Sequence, residues 1–168
     1  LGAYLTRYFA SKGHTIIALV RKDDTKELAA LASVLQADIR KPVAPFPEVD
    51  LVIHCAALVS DAASDRDLHA TNVLGTRNVL RAAENVRVFV HISSSSVYLP
   101  ADCPQKEEDV PAVPQGIPSA YGRSKWLAEQ EVLHHESPMQ RFILRPRAVY
   151  GPGDRVLLPS DGYSATRG

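Results

Sequence analysis

The chain has 168 residues, 45% of them hydrophobic and 23% charged, which is typical of one globular domain. Its 19 basic and 19 acidic side chains balance, so bulk charge indicates neither a nucleic-acid partner nor an anionic membrane surface. Without a membrane-length apolar run, a signal peptide or a metal-like spacing of its two cysteines, we expect a cytoplasmic protein with no membrane partner and no bound metal.

Apolar runs alternate with helical stretches along the chain. Gly13 can end the first helix as a C-cap, while Asp24 and Ser119 can begin two others as N-caps. In chain order we predict a helix over 2–13, a strand over 14–20, a helix over 25–33, a short apolar run over 34–39, a strand over 50–57, a helix over 64–85, a strand over 86–93, a surface loop over 99–118, a helix over 120–135, a strand over 141–146 and a turn over 150–154.

Strands that are apolar throughout and alternate with helices indicate an α/β fold with a parallel sheet and helices on both of its faces. We interpret residues 1–155 as one domain and 156–168 as a tail too short to form a second. Ligands of such sheets bind outside the carboxyl ends of the strands. Residues 54–57, 93–96 and 146–149 lie at the carboxyl ends of three predicted strands, so we expect them to line one crevice.

Tyr121 and Lys125 stand four residues apart in the sequence YGRSK, on one face of a predicted helix. A nearby ammonium group favours phenolate over phenol, so Lys125 is expected to lower the pKa of Tyr121 toward neutrality. Tyr121 would then serve as a general acid or base. A Tyr-x-x-x-Lys pair also arises by coincidence, so its position after a strand that ends in serines carries the interpretation.

Five segments occur in an order and spacing that resembles the extended branch of the short-chain dehydrogenase/reductase family, which contains epimerase/dehydratase-like and 3-beta-hydroxysteroid-dehydrogenase-like proteins. The resemblance runs from residue 2 to about 155 and implies a Rossmann-type, doubly wound, three-layer αβα sheet. The segments are HCAA (54–57), NVLGTRNVL (72–80), SSSSVY (93–98), YGRSK (121–125) and LRPRAVYGPGD (144–154).

The resemblance implies a role for each matching residue. Ser94, four residues before Tyr98, would bind the substrate oxygen while Tyr121 exchanges its proton. Lys125 would hold the nicotinamide ribose, and Asn72 would support the site. The positions implied for cofactor binding are Gly2, Arg21, Lys22, Asp38, Ile39, His54, Ala56, Ala57, Tyr121, Lys125, Pro146 and Val149. Among these, His54 lies inside an apolar strand, where a packed core histidine is the commoner finding.

Family members begin with a strand and a glycine-rich phosphate turn, and Gly2 matches only the last glycine of that turn. We therefore expect a fragment that lacks the first strand of the family and, beyond residue 155, most of the substrate lobe. The fragment itself is expected to bind dinucleotide poorly and to be inactive. The full-length protein is expected to form a homodimer.

Arg21 and Lys22 follow the strand over 14–20, where family members carry the residue that reads the cofactor ribose. Arginine suits a 2′-phosphate, so the sequence favours NADP, while Asp23 and Asp24 keep NAD open. Ser95 and Ser96 stand where dehydratases of the family have an acidic pair, which argues against dehydration.

The expected activity is NAD(P)-dependent hydride transfer at a secondary alcohol or ketone carbon of a small molecule. The substrate classes left open are a nucleotide sugar, as for an epimerase, and a steroid-like or other ketone, as for a dehydrogenase or reductase. A non-catalytic dinucleotide sensor is a further alternative, which the presence of Ser94, Tyr121 and Lys125 disfavours.

Overall fold

The structure, a computed structural model, describes residues 1–21, 26–60, 62–99 and 114–151, with the side chain of Lys26 outside the description. Five short strands lie within these ranges: β1 (Ile17–Val20), β2 (Ser33–Gln36), β3 (Leu51–His54), β4 (Val88–Ile92) and β5 (Gln140–Leu144). The helices are α1 (Gly2–Ser11), α2 (Lys26–Ala29), α3 (Asp65–Leu68), a π-helix (His69–Leu74), α4 (Gly75–Ala82), α5 (Ala120–Leu133) and 3₁₀ turns at Ser95–Val97 and Pro114–Gly116.

Every strand pair in the described residues is parallel, as predicted. β1 pairs with β2, while β4 lies between β3 and β5. The two groups do not pair with each other within the described ranges, so β1 and β3 each keep an edge without a strand partner there. In the order 3-2-1-4-5-6 of Rossmann-type sheets, that place belongs to the first strand.

The helix predicted over 64–85 is one helical run over 65–82 with a π-helical insert at its centre. Its N-cap is Ser64, whose hydroxyl accepts a hydrogen bond from the Asp67 amide at 3.1 Å. Sequence periodicity gave no sign of the insert. π-helical turns are frequent at functional sites, and this one carries Asn72.

Two predicted helix ends are confirmed. Gly13 follows α1 with a φ of +82°, a conformation that favours glycine, and Ser119 caps α5 by accepting from the Gly122 amide at 2.9 Å. The helix predicted over 25–33 was wrong in extent: α2 ends at Ala29, and Ser33 already pairs with Ile17 in the sheet. Strand pairing overrides helix propensity in this segment.

The main core lies where α4 and α5 pack on one face of β3–β5. Phe89 at its centre is fully buried. The other buried members are Ile39, Val79, Leu80, Ala83, Val86, Val132 and Met139. A second cluster of Val97, Ile117 and Trp126 fastens the turn after β4 to the start of α5. Most of the predicted loop over 99–118, the end of the predicted 150–154 turn, and the tail over 156–168 lie outside the described residues. No helix in the described parts of the chain is long and apolar enough to cross a membrane.

Candidate active site

The carboxyl ends of β4 and β5 are tied together by their backbones. The Ser93 amide donates to the Leu144 carbonyl at 2.7 Å, and the Ser95 amide donates to the Pro146 carbonyl at 3.1 Å. Ser94 stands between these ties as the N-cap of the 3₁₀ turn, where its hydroxyl oxygen accepts from the Ser96 amide at 3.1 Å. The serine run is therefore a tight turn at a strand end, with Ser94 held at a fixed place.

Tyr121 reaches this turn from the first residues of α5. A Cβ atom on Gly122 would lie 2.3 Å from the Ser96 carbonyl oxygen, so only glycine allows the helix and the serine turn to approach so closely. Burial raises the pKa of Tyr121, and hydrogen bonding with the Ser94 hydroxyl opposes this rise. The structure thus brings together Ser94 and Tyr121, which the sequence places 27 positions apart.

Lys125 is buried one turn further along α5, with 1% of its surface exposed. Its ammonium group donates to the Ile92 carbonyl at 2.7 Å and lies 3.3 Å from Nε2 of His91. Burial lowers the pKa of Lys125 to about 8, against an opposing effect of the Glu129 carboxylate. Lys125 therefore titrates close to neutral pH.

The expected effect of Lys125 on Tyr121 was wrong for this structure. The pKa of Tyr121 is raised by burial, not lowered. The lysine ammonium instead binds the Ile92 carbonyl and lies beside His91 of β4, and burial together with this charge lowers the pKa values of His54 and His91. The two residues share a helix face, but their functional groups lie at different depths.

Asn72 fastens three elements to one another. Its amide oxygen accepts from the Leu58 amide at 2.7 Å, and its Nδ2 donates to the Leu58 carbonyl at 3.1 Å and to the Ser124 hydroxyl at 2.8 Å. Ser124 in turn donates to the Tyr121 carbonyl at 2.7 Å. Asn72, itself 1% exposed, thereby connects the segment after β3 with the first turn of α5.

His54 is a core residue here, and its expected part in cofactor binding stays a prediction. It is 5% exposed, its Nε2 lies 3.1 Å from the Thr76 hydroxyl, and burial lowers its pKa to about 3. The neighbouring Ile39 side chain likewise belongs to the core and packs against Gly75. Both side chains face the helices behind the sheet.

Asp38 remains near the surface, where it is bound by Arg40. The guanidinium lies against both carboxylate oxygens, and the Arg40 amide donates to Oδ1 at 3.0 Å. These hydrogen bonds lower the pKa of Asp38 to about 2. Asp38 is thus a fixed negative charge near Arg21, whose charge also lowers its pKa.

The N-terminus of α1 fits the phosphates of a dinucleotide. Gly2 lies at the carboxyl end of β3, where a Cβ atom on it would stand 3.7 Å from Cys55 Cβ. No acidic side chain occupies the first turn of α1, whose amide groups favour an anion. Ala56, exposed beside Cys55, and the half-buried Ala57 leave little side-chain bulk there. The residues present therefore suit a nicotinamide dinucleotide.

The remaining expected positions that the structure describes follow β1 and β5. Arg21 is exposed directly after β1, Val149 is 46% exposed beyond β5, and Pro146 is bound through its carbonyl to Ser95. Lys22 lies outside the described residues. Within the described ranges, no group of three or more histidine, cysteine or acidic side chains is placed to hold a metal.

Sequence reasoning missed His91 and the ion pair between Glu129 and Arg145. The Arg145 guanidinium binds both Glu129 carboxylate oxygens at 2.9 Å, and the glutamate side chain is 1% exposed. The strand period of two residues and the helix spacing of four residues contained the signal for His91 and Glu129. His91 stands two residues before Ser93 on a strand, hence on the same sheet face, and Glu129 stands four residues after Lys125 on a helix.

Comparison with known proteins places this architecture in a family. The chain matches the NAD dependent epimerase/dehydratase family over residues 1–161. It is 31% identical to a 2-alkyl-3-oxoalkanoate reductase of Stenotrophomonas maltophilia over 176 aligned positions, which cover 100% of this chain and 53% of the relative. It is 38% identical to a sterol-4-alpha-carboxylate 3-dehydrogenase of Schizosaccharomyces pombe over 130 positions, which cover 74% of this chain and 37% of the relative.

Among solved structures, MoeE5 in complex with UDP-glucose and NAD resembles the chain with a TM-score of 0.76 and 26% sequence identity, covering 92% of this chain and 53% of MoeE5. The chain thus spans about half the length of the first relative, 53%. The parallel strands and the family match over residues 1–161 agree. The chain belongs to the NAD dependent epimerase/dehydratase family, an extended short-chain dehydrogenase/reductase branch, and has its Rossmann-type fold.

Proposed function

We propose that this chain provides the cofactor-binding half, and the Ser94, Tyr121 and Lys125 side chains, of an NAD(P)-dependent enzyme that reduces a ketone or oxidises a secondary alcohol. The observation that carries the proposal is the close approach of the first turn of α5 to the serine turn after β4. Ser94 caps that turn, a Cβ atom on Gly122 would lie 2.3 Å from the Ser96 carbonyl oxygen, and the Ser94 hydroxyl opposes the rise that burial causes in the pKa of Tyr121. Tyr and Ser hydroxyls beside each other are able to bind one substrate oxygen from two directions.

The chemistry divides between protein and cofactor. A bound nicotinamide dinucleotide would supply or accept the hydride at the substrate carbon. In the reductive direction Ser94 donates a hydrogen bond to the carbonyl oxygen, and Tyr121 gives that oxygen its phenolic proton. Burial raises the pKa of Tyr121, so its phenol holds the proton at neutral pH that it would give to this oxygen. Lys125, whose ammonium is held by the Ile92 carbonyl and His91, would keep a positive charge beside the site.

Reduction or oxidation of a ketone–alcohol pair is favoured over epimerisation by the relatives. The Stenotrophomonas maltophilia protein is named as a 2-alkyl-3-oxoalkanoate reductase, and the Schizosaccharomyces pombe protein as a decarboxylating sterol-4-alpha-carboxylate 3-dehydrogenase. We therefore propose a ketone or secondary alcohol on an alkyl or steroid-like skeleton as the substrate class. Epimerisation of a nucleotide sugar is the second candidate, supported by the likeness to MoeE5 with UDP-glucose. The two differ in net cofactor turnover, because an epimerase returns its cofactor to the starting state.

Tyr121→Phe tests the proposal. It removes the proton donor and keeps the ring, so we expect turnover of an oxoalkanoate or sterol ketone by the intact protein to fall about 100-fold or more. Tyr8→Phe is the matched control, because Tyr8 is 46% exposed in the last turn of α1. Equal activity of Tyr121→Phe and wild type would refute the proposed site. Net NAD(P)H consumption separates a reductase from an epimerase.

We further propose NADP as the preferred cofactor, on the exposed guanidinium of Arg21 after β1. The carboxylate of Asp38 interacts electrostatically with Arg21, but it is already paired with Arg40. Arg21→Gln is expected to weaken NADP binding about tenfold while NAD binding changes little, measured by calorimetry on the intact protein. A wild-type preference for NAD would overturn this assignment.

A further inference from the structure

His91 is a fully buried polar side chain to which the proposed function gives no task. It lies on β4 with 0% of its surface exposed. On one side its ring stands 5.5 Å from the ring of His54, centroid to centroid. On the other side its Nε2 lies 3.3 Å from the Lys125 ammonium nitrogen.

The donors and acceptors at this contact fix the proton on His91. An ammonium group only donates hydrogen bonds, so Nε2 of His91 must accept from Lys125 and carry no hydrogen. The ring hydrogen of the neutral imidazole then lies on Nδ1, which is buried and has no hydrogen-bond partner within the described part of the chain. Within the described part of the chain, the contact with Lys125 is therefore the hydrogen bond of the His91 ring.

Burial and the neighbouring charges keep the His91 ring neutral. Lys125 is protonated at pH values below its own pKa. Burial, Lys125 and His54 each lower the pKa of His91 far below its usual value. A protonated His91 would present an N–H to the ammonium and lose the contact. Glu129 and Cys55 act in the opposite direction on Lys125 and raise its pKa. Lys125 carries the positive charge, and His91 accepts from it.

We propose that His91 is a positioning residue for Lys125: it accepts a hydrogen bond from the ammonium and, with the Ile92 carbonyl, holds that group at the carboxyl end of β4. Two acceptors fix the directions of two ammonium hydrogens and leave the third N–H for another acceptor. A leucine or valine at this strand position would fill the core without adding an unpartnered Nδ1. The inference rests on the proposed function only for the task that it gives to Lys125.

Two substitutions in the intact protein separate this role from packing. His91→Phe keeps an aromatic ring and removes both nitrogens, whereas His91→Gln keeps a carbonyl oxygen able to accept from Lys125. The pKa of Lys125 is read by NMR of ¹³C-labelled lysine, with Lys125→Met to assign the signal. We expect a downward shift of about one pKa unit in His91→Phe, because the ammonium loses a charge-assisted acceptor, and recovery toward the wild-type value in His91→Gln. An unchanged pKa in His91→Phe, or equal shifts in both variants, would overturn the proposal.

A measurement on the wild-type protein applies even where a variant fails to fold. The ¹⁵N chemical shifts of the His91 ring are expected to show a neutral imidazole with its hydrogen on Nδ1. A hydrogen on Nε2 would overturn the inference, since that nitrogen would then be unable to accept from Lys125. Neither NMR result depends on turnover, so an active Tyr121→Phe variant would refute the proposed function and leave the role of His91 standing.

Discussion

Replacing Gly122 by alanine should separate two opposing effects at the start of α5. Alanine is a better helix former than glycine by about 1 kcal/mol, so helix propensity alone predicts stabilisation. The new Cβ atom would, however, stand 2.3 Å from the Ser96 carbonyl oxygen, 2.7 Å from Ile117 Cγ2 and 2.9 Å from the Ser119 hydroxyl. Two of these neighbours are a backbone carbonyl and the N-cap hydroxyl of α5.

We expect the steric cost of the new Cβ atom to exceed the gain in helix propensity. Relief of a 2.3 Å contact requires α5 to move away from the serine turn, since the carbonyl belongs to the backbone. Overpacking of this kind costs about 1–3 kcal/mol, and the closest contact here argues for the upper part of that range. After subtraction of the propensity gain, we expect a net loss of about 1–2 kcal/mol. For a chain of 168 residues this corresponds to a fall in Tm of roughly 3–6 °C.

The same movement would separate Tyr121 from Ser94, so activity should fall together with stability. A displacement of about 1 Å at reacting groups costs on the order of 100-fold in rate. Gly75→Ala is the matched control: it is also a buried helical glycine, but its Cβ would meet the flexible end of the Ile39 side chain at 2.7 Å. Thermal unfolding and ketone turnover of the intact protein measure both effects. A Gly122→Ala protein as stable and as active as the wild type would refute the reasoning.

Two further substitutions test the buried charges. Glu129→Gln removes the carboxylate paired with Arg145 and should cost about 3 kcal/mol in urea unfolding, whereas Asp50→Asn, at the exposed pair with Arg87, should change nothing measurable. Equal effects of the two would contradict this contrast. Because burial lowers the pKa of Lys125 from 10.5 to about 8, the unfolded chain binds more protons between these pH values, so stability should rise with pH there. Relative to Lys125→Met, urea unfolding of the wild type from pH 7 to 10 should show this rise, and parallel profiles would exclude it.

The parallel sheet could be predicted because each strand carries its own apolar run, bounded by turn or capping residues. Gly13 and Ser119 marked helix ends through local backbone chemistry, which a sequence displays directly. The end of α2 could not be predicted in this way. Ser33 reads as the end of a helix, yet its pairing with Ile17 depends on a strand 16 positions earlier. Non-local pairing decides such segments.

The candidate site could likewise be predicted only in part. Ser94, Tyr121 and Lys125 were predicted as a group because their family pattern is written in the sequence. The direction of the lysine side chain was not. It depends on two acceptors, His91 and the Ile92 carbonyl, that α5 meets only after it packs on β4. The pKa of Tyr121 consequently depends on burial more than on its neighbour in the helix.

The polar side chains along one face of α5 differ in how deeply they are buried. Tyr121, Lys125 and Glu129 follow one another at intervals of four residues, which places them along a single face. The phenol is partly buried, the ammonium is 1% exposed, and the Glu129 carboxylate is bound to the guanidinium of Arg145. Since Arg145 already balances Glu129, this row keeps one uncompensated positive charge, at Lys125. Burial of that charge brings the pKa of Lys125 down to about 8, so the arrangement of the helix gives the site a group that titrates near neutral pH.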